Sequence, residues 1–165
     1  IWSNVQGKLS NVALLMGVHQ AVYHKRHLVP FGEFMPFHHY LARISHGLLP
    51  MSMFDLKAGE QDQPLFHLST HQIMMPWICY DVAFSDVPHD IDSAQWIVLL
   101  SDDAWYRSRT AVAQHRQIAQ FRAAQLGKPI LFVNNSGLTS YINANGALIK
   151  ALPNRKPGVL MVDLD

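Results

Sequence analysis

Short apolar runs rich in β-branched residues recur along the chain and predict β-strands. The runs are continuous rather than alternating, which is typical of sheets whose faces are covered by other layers. The predicted strands are residues 11–18, 72–80, 95–101, 129–135, 138–143 and 158–164.

The segment 107–126 contains neither Gly nor Pro and predicts a helix. Its Ala111, Gln114, Ile118 and Phe121 recur at helical spacing, and a glycine follows directly as a stop signal. With the strands around it, this helix completes the order strand, strand, helix, strand, which predicts an α/β layered fold.

Two segments around this unit have a different character. Residues 138–164 predict a hairpin with its turn at residues 143–146, whose Asn-Gly pair tolerates the positive φ of such turns. In residues 34–54, Phe, Met, Leu and His alternate with helix breakers, which predicts a loop or short-helix arm. Such an arm is either a lid or membrane-contacting flap, or a partly buried connection packed on the domain.

The chain has 165 residues and 49% hydrophobic content, which suits one globular domain over residues 1–165. A formal net charge of +1 with scattered basic residues gives no support for nucleic-acid binding. No apolar run approaches the roughly 18 residues of a membrane-spanning helix, so the chain as given is expected to be soluble. It begins at Ile1 and stops directly after a predicted strand, and we therefore expect both ends to be cut.

Ten histidines raise the question of a metal site, and His38 and His39, with His24 and His27, form the densest group. No HExxH motif or paired CxxC spacing accompanies them. We therefore predict no metal site and no cofactor.

The single cysteine, Cys79, ends the apolar run IMMPWI and precedes a turn-rich stretch. The thiol is thus placed at the carboxyl end of a strand, where the sites of α/β folds assemble. A nucleophile on a sharp strand-to-helix turn projects into a cleft, beside backbone N–H groups that can bind an oxyanion. The alternative is an inert core thiol, since free cysteines are among the most buried residues.

Lys25 lies in the segment VYHKRHLVPFGEF, beside His24, Arg26 and His27. Taken alone, such a cluster is typical of a solvated basic turn. As a partner of the thiol, Lys25 would have a chemical role, because a nearby ammonium favours the thiolate and attracts the charge that builds on an acyl oxygen.

Three stretches resemble the apolipoprotein N-acyltransferases. YHKRHLVPFGEFMPF (23–37) closely matches their lysine-bearing segment, and WICYDVAFSD (77–86) resembles their cysteine-bearing segment. Residues 99–146 are similar to the segment that follows the nucleophile. The cysteine motif is shared with amidases and carbamoylases of the nitrilase superfamily, whereas the string HLVPFGEF narrows the resemblance to the acyltransferase branch.

The resemblance implies a nitrilase-like αββα sandwich of four layers, incomplete at its N-terminal side. It also implies a Glu–Lys–Cys triad, with Cys79 as the nucleophile that forms a thioester and Lys25 as the oxyanion partner. Glu33 matches the family's accessory glutamate, and an ordinary turn residue is the alternative. The backbone N–H of Tyr80 is the expected second oxyanion donor, and the implied oxyanion and substrate-binding residues are Tyr80, Asp81 and Trp105.

The sequence departs from the family pattern in several places. Residues 1–24 contain no glutamate, although the family's general base lies upstream of the lysine. Unless Glu33 has taken over as the base, we therefore expect the base in sequence not shown, and this chain alone to be inactive. Asp81 stands where the family usually carries Glu, Asp102 stands where Asn is expected, and Tyr-Arg-Ser replaces a Gly-containing turn after Trp105. His115 matches a family position and is interpreted as a packed, hydrogen-bonded core histidine.

The implied function is transfer of a fatty acyl chain from a phospholipid, through the cysteine thioester, to the N-terminal amine of a diacylglyceryl-cysteine apolipoprotein. Such an enzyme belongs to the bacterial inner membrane, with its catalytic domain facing the periplasm. It would then contact the membrane through transmembrane helices that lie in sequence not shown, and through the arm at residues 34–54. Two alternatives stay open: a nitrilase-type amidase that hydrolyses a small C–N bond, and a degenerate homologue that binds lipid or lipoprotein without turnover.

Overall fold

The computed structural model describes residues 2–5, 8–17, 19–37, 55–106, 108–153 and 156–163. Within these ranges nine strands form two sheets. The smaller sheet is antiparallel and has the order β1 (Trp2–Val5), β2 (Lys8–Leu15) and β3 (Ala21–His24). The larger sheet has the order β4 (Phe66–Ser69), β5 (Gln72–Ile78), β6 (Trp96–Ser101), β7 (Ile130–Asn134), β8 (Ser140–Ile142) and β9 (Leu148–Ala151).

The centre of the larger sheet is the unit that the apolar pattern predicted. Strands β5, β6 and β7 are parallel neighbours, and helix α1 (Arg109–Leu126) connects β6 to β7 and packs on β7 and β8. The helix ends at Gly127, which adopts the left-handed φ of 63° that glycine tolerates. The predicted order strand, strand, helix, strand is therefore confirmed. Three short 3-10 helices complete the described elements: Cys79–Ala83, Ile91–Ser93 and Asp103–Trp105.

One hydrophobic core runs through both sheets and the helix. Strand β2 contacts β5, so the small sheet faces the large one. Ala13 and Tyr23 of the small sheet belong to the same buried cluster as Met75 and Trp77 of β5, and Ala119 of α1 closes the opposite side. Because the central strands are covered on both faces, their sequences are apolar without alternation.

The hairpin at the carboxyl end differs from the prediction. Its turn lies at residues 143–146 as expected, with the Gly146 N–H donating to the Asn143 carbonyl at 2.9 Å and Gly146 at φ 79°. The returning strand, however, is β9, and residues 158–163 carry no strand. The predicted strand at 158–164 is therefore wrong over its described part. Residues directly after the turn pair with β8 first, and Pro153 and Pro157, which have no N–H to donate, interrupt further pairing.

The arm predicted at residues 34–54 is only partly covered, since residues 38–54 lie outside the described ranges. That gap also contains His38 and His39 of the histidine group. Of the arm, residues 34–37 follow a tight turn in which Phe31 has a positive φ of 62° and its N–H donates to the Phe34 carbonyl at 2.8 Å.

Candidate active site

Cys79 occupies a sharp turn between β5 and the 3-10 helix Cys79–Ala83. Its φ of 49° lies in the left-handed region, where a residue with a Cβ is strained. Such a turn at the carboxyl end of a strand presents a side chain to a cleft rather than to a sheet neighbour. Burial raises the pKa of the Cys79 thiol above its ordinary value, although the Lys25 ammonium and a hydrogen bond with Ser101 act in the opposite direction. The thiol therefore needs a base to become a nucleophile at neutral pH.

Lys25 follows directly on β3 and is held on both sides by backbone hydrogen bonds. Its N–H donates to the Asn11 carbonyl at 2.8 Å, and its carbonyl accepts from the Gly59 N–H at 2.8 Å. Its side chain is only 1% exposed. A lysine so completely buried is not the solvated basic turn that the sequence left open, and its ammonium must be neutralised locally.

Glu33 supplies that neutralisation. The Lys25 Nζ lies 2.7 Å from Glu33 Oε1 and 2.6 Å from Oε2, so the carboxylate accepts from the ammonium with both oxygens. The Val29 N–H donates to Oε2 at 2.8 Å and fixes the carboxylate against its own turn. The pair holds the ammonium at a defined point in a region from which most solvent is excluded.

These side chains meet in one cavity of about 310 Å³. Cys79, Lys25, Glu33 and Trp105 all line it, and Trp105 remains 72% exposed at its edge. Much of the remaining wall is apolar, formed by Val12, Val29, Ile78 and Leu100. The structure thus brings together four of the six residues that the sequence singled out.

Tyr80 and Asp81 are the two that do not line this cavity. The ring of Tyr80 packs edge-on against Phe84, with ring centroids 5.0 Å apart. Asp81 is buried, and its carboxylate accepts from five protein donors, so direct contact with a substrate is not what the geometry shows. These donors are the hydroxyl of Tyr23, the backbone N–H groups of Arg26, His27 and Ile78, and Nδ1 of His27.

The hydrogen bonds of Asp81 connect the segment that contains Lys25 to the turn that contains Cys79. Asp86, a few residues beyond the turn, accepts from Arg26 at 2.6 Å and lies 3.1 Å from Nε2 of His27. The His27 ring also stacks on Phe84, with centroids 3.9 Å apart. Two segments that are distant in the sequence are therefore joined by a network of ion pairs, hydrogen bonds and ring contacts directly behind the cavity.

Ser101 and Tyr106 are among the cavity-wall residues that were not singled out from the sequence. Ser101 is the last residue of β6, which runs parallel to β5, so its hydroxyl reaches the same edge as Cys79. Tyr106 follows the Trp105 turn, and burial together with the Cys79 charge raises the pKa of its phenol to about 12. The phenol therefore stays protonated and able to donate a hydrogen bond. Position at the carboxyl end of a neighbouring parallel strand is the signal that could have identified Ser101.

Carboxylates in the cavity wall, within the described ranges, are Glu33 and Asp102. Asp102 accepts from the Ala104 N–H and the Ser136 hydroxyl, and these hydrogen bonds hold its pKa below the usual value. In the same ranges there is no group of three His, Cys, Asp or Glu side chains able to hold a metal ion. Nor does any helix there have the length and apolarity needed to cross a bilayer.

The strand-end thiol, the buried ammonium and the layered sheets agree with the sequence comparison, in which residues 4–165 match the carbon-nitrogen hydrolase family. The chain belongs to that family. Its relatives include the apolipoprotein N-acyltransferases of Photobacterium profundum, 40% identical over 84% of this chain, and of Vibrio vulnificus, 37% identical over 86%. The resemblance stated from the sequence motifs is confirmed by these relatives. The chain spans 27% and 28% of their respective lengths.

A solved structure with the same fold is the amidase from Nesterenkonia sp. AN1 with acrylamide added at its active-site cysteine. The TM-score is 0.62 at 19% identity, over 88% of this chain and 52% of that one. The nitrilase-like α/β fold predicted for this chain is thus confirmed. The described residues provide two facing sheets and the helix layer over the larger one.

Proposed function

We propose that this chain is part of the catalytic domain, over residues 1–165, of an apolipoprotein N-acyltransferase. In this proposal Cys79 accepts a fatty acyl chain from a phospholipid and passes it to the N-terminal amine of a diacylglyceryl-cysteine apolipoprotein. One observation carries the proposal: a buried ammonium, anchored by a bidentate carboxylate, lines the same apolar cavity as a thiol on a strained strand-end turn.

The first half-reaction forms a thioester. A base removes the Cys79 proton, the sulfur attacks the ester carbonyl, and negative charge develops on the acyl oxygen. The C–O bond then breaks, and the alkoxide of the lysophospholipid leaves with a proton returned by the base. Lys25, the Tyr80 N–H and the Tyr106 hydroxyl are the donors proposed for the oxyanion.

The second half-reaction releases the acyl chain to the acceptor. The free amine attacks the thioester carbonyl, the amide C–N bond forms and the C–S bond breaks. The proton lost by the amine restores the thiol through the same base, so Cys79 is ready for another cycle. The two steps balance without a cofactor.

Glu33 is proposed to orient and neutralise Lys25 rather than to take the thiol proton. Both of its oxygens accept from the ammonium, and one also accepts from the Val29 N–H. With both oxygens already engaged by donors, the geometry favours an orienting role over removal of the thiol proton. The general base is therefore proposed to be a glutamate in a part of the same protein outside residues 1–165.

The apolar wall of the cavity suits an acyl chain. Val12, Val29 and Leu100 face the space beside the thiol, and Trp105 offers an exposed aromatic surface at its edge. Because both proposed substrates reside in a bilayer, we also propose that the enzyme acts at the bacterial inner membrane, on its periplasmic side. The arm at residues 34–54 is the proposed membrane contact, and Asp81 has a positioning role instead of a substrate-binding one.

The test is N-acylation of a synthetic diacylglyceryl-cysteine peptide by the full-length protein, with phospholipid as acyl donor and mass spectrometry as readout. The proposal expects an amide-linked third acyl chain with the wild type and none with Cys79→Ala. Short aliphatic amides are assayed in parallel. Hydrolysis of those amides without peptide acylation would contradict the proposal and favour an amidase. Peptide acylation by Cys79→Ala would show that the reaction does not pass through a Cys79 thioester.

A further inference from the structure

A buried acid–histidine pair lies behind the nucleophile turn. His115 of α1 is 5% exposed, and its Nδ1 lies 2.9 Å from Oδ1 of Asp103. On the other side of the ring, Nε2 lies 3.3 Å from the backbone carbonyl oxygen of Cys79. Neither residue lines the wall around the thiol.

The two partners of this imidazole are both hydrogen-bond acceptors. A carboxylate and a carbonyl can be satisfied together only if both ring nitrogens carry hydrogen. The two contacts are therefore read as Nδ1–H donating to Asp103 and Nε2–H donating to the Cys79 carbonyl oxygen. Burial raises the pKa of Asp103, but hydrogen bonds from His115 and from Ser101, whose Oγ is 2.8 Å away, outweigh it and hold the pKa below its usual value.

The carbonyl that His115 contacts belongs to the same peptide unit as the Tyr80 N–H. The unit is planar, and the structure has no cis peptide bond in its described ranges, so the C=O and N–H bonds point in opposite directions. Holding the Cys79 oxygen toward α1 therefore turns the Tyr80 N–H away from α1. This control matters because Cys79, at φ 49°, has an unusual backbone conformation that needs support from its surroundings.

We propose that His115, held by Asp103, is a positioning residue that orients the Cys79–Tyr80 peptide unit so that the Tyr80 N–H can meet the oxyanion. The inference rests on the proposed function, since it takes Cys79 as the nucleophile. In this proposal His115, which lies on α1 and 36 positions from Cys79 in the chain, controls the orientation of the Tyr80 N–H.

Two isosteric substitutions separate the two hydrogen bonds. In His115→Gln the amide nitrogen takes the approximate place of Nε2 and keeps the bond to the Cys79 carbonyl. In His115→Asn it takes the approximate place of Nδ1 and keeps only the bond to Asp103. In Asp103→Asn the new amide can turn its NH2 toward Nδ1, which then accepts, and Nε2 keeps its hydrogen for the Cys79 carbonyl, so this variant should resemble His115→Gln.

The experiment compares these variants in the full-length protein for the rate of acyl-Cys79 formation from phospholipid and for the rate of Cys79 alkylation by iodoacetamide. Alkylation at a pH where the thiol is fully ionised develops no oxyanion and serves as the internal control. We expect His115→Asn to acylate about 100-fold more slowly at saturating phospholipid, as when an oxyanion donor is lost, with KM unchanged. We expect His115→Gln and Asp103→Asn to keep most of the wild-type rate, and all three variants to alkylate at the wild-type rate.

Equal acylation rates for His115→Asn and His115→Gln would overturn the proposal, because the bond to Cys79 would then be irrelevant. A parallel loss of alkylation would also overturn it, since the pair would then merely maintain the fold around the thiol. Failure of the proposed function has a different signature: Cys79→Ala would still acylate the lipopeptide, whatever the His115 variants do.

Discussion

The ammonium of Lys25 lies 2.7 and 2.6 Å from the two carboxylate oxygens of Glu33, and both side chains line the cavity that contains the Cys79 thiol. Burial has the largest effect on the pKa of Cys79 and raises it. The two charges act in opposite directions, since Lys25 lowers this pKa and Glu33 raises it further. Substitutions of Lys25 and of Glu33 should therefore shift the pKa of Cys79 in opposite directions. A general loss of folded structure does not produce opposite shifts.

Replacing Lys25 by Met removes the positive charge beside the thiol. Burial and Glu33 then act unopposed by the ammonium, so the pKa of Cys79 rises further and its alkylation by iodoacetamide shifts to higher pH. Acyl transfer is expected to fall by at least about 100-fold, as when an oxyanion donor is lost. The matched control is Lys8→Met, which removes an exposed ion pair with Asp55 and should leave both readouts unchanged. An unaltered alkylation profile in Lys25→Met would contradict the geometry.

Replacing Glu33 by Gln should move the alkylation profile the other way. Loss of the carboxylate charge lowers the pKa of the thiol, so Cys79 is alkylated faster at low pH. Acyl transfer still falls, because Lys25 loses its bidentate anchor and no longer holds a fixed position. Glu60→Gln changes a glutamate that does not line the cavity, and serves as the control. A shift to higher pH in Glu33→Gln would show that the carboxylate does not act on the thiol.

Asp81→Asn tests the link between the segment that contains Lys25 and the turn that contains Cys79. In the wild type, N–H and O–H donors point at the Asp81 carboxylate. The NH2 group of an Asn amide would face some of these donors without an acceptor between them, so we expect the free energy of unfolding to fall by about 2 kcal/mol. The control is Asp86→Asn, whose side chain is 49% exposed and should cost less than about 1 kcal/mol. Both are measured by thermal denaturation of the purified full-length protein. Equal midpoints for the two variants would mean that the five-donor arrangement at Asp81 contributes little.

Gly59→Ala tests the packing behind Lys25. A Cβ at Gly59 would lie 2.4 Å from the carbonyl oxygen of His24, so the strand end that precedes Lys25 must move. Acyl transfer and stability are expected to fall together. Gly17→Ala is the control, since the nearest atom to its added Cβ is 4.0 Å away, and it should stay within about 0.5 kcal/mol of the wild type. A fully active Gly59→Ala enzyme would show that the Lys25 position tolerates displacement.

The sequence predicted the parts of the site that depend on local rules. An apolar strand that ends in a cysteine places the thiol at a sheet edge, and Lys25 and Glu33 are near enough in the chain to meet across one turn. It also predicted the central strands from their continuous apolar runs, and α1 from its uninterrupted helical spacing. The strands β1, β3 and β4 were missed, since each has only four residues and polar side chains interrupt the apolar pattern.

The remainder of the site depends on contacts between distant segments. Asp81 was expected at the substrate from the family resemblance, yet the 3-10 turn directs its carboxylate toward Arg26 and His27. The contact of His115 with Cys79 joins residues 36 positions apart, and no pattern in one sequence indicates which helix face covers which strand end. The strand predicted at residues 158–164 failed because hydrophobicity alone does not show which partner a strand would have.

The most direct test of the central claim is to trap the acyl group on Cys79. The full-length protein is incubated with phospholipid and no acceptor, digested, and the acylated peptide is located by mass spectrometry before and after hydroxylamine, which cleaves thioesters. The account predicts a hydroxylamine-sensitive acyl group on Cys79 in the wild type, and a strongly reduced rate of its formation in Lys25→Met. An acyl group on another residue, or acylation of Cys79 at the wild-type rate without the Lys25 ammonium, would contradict it.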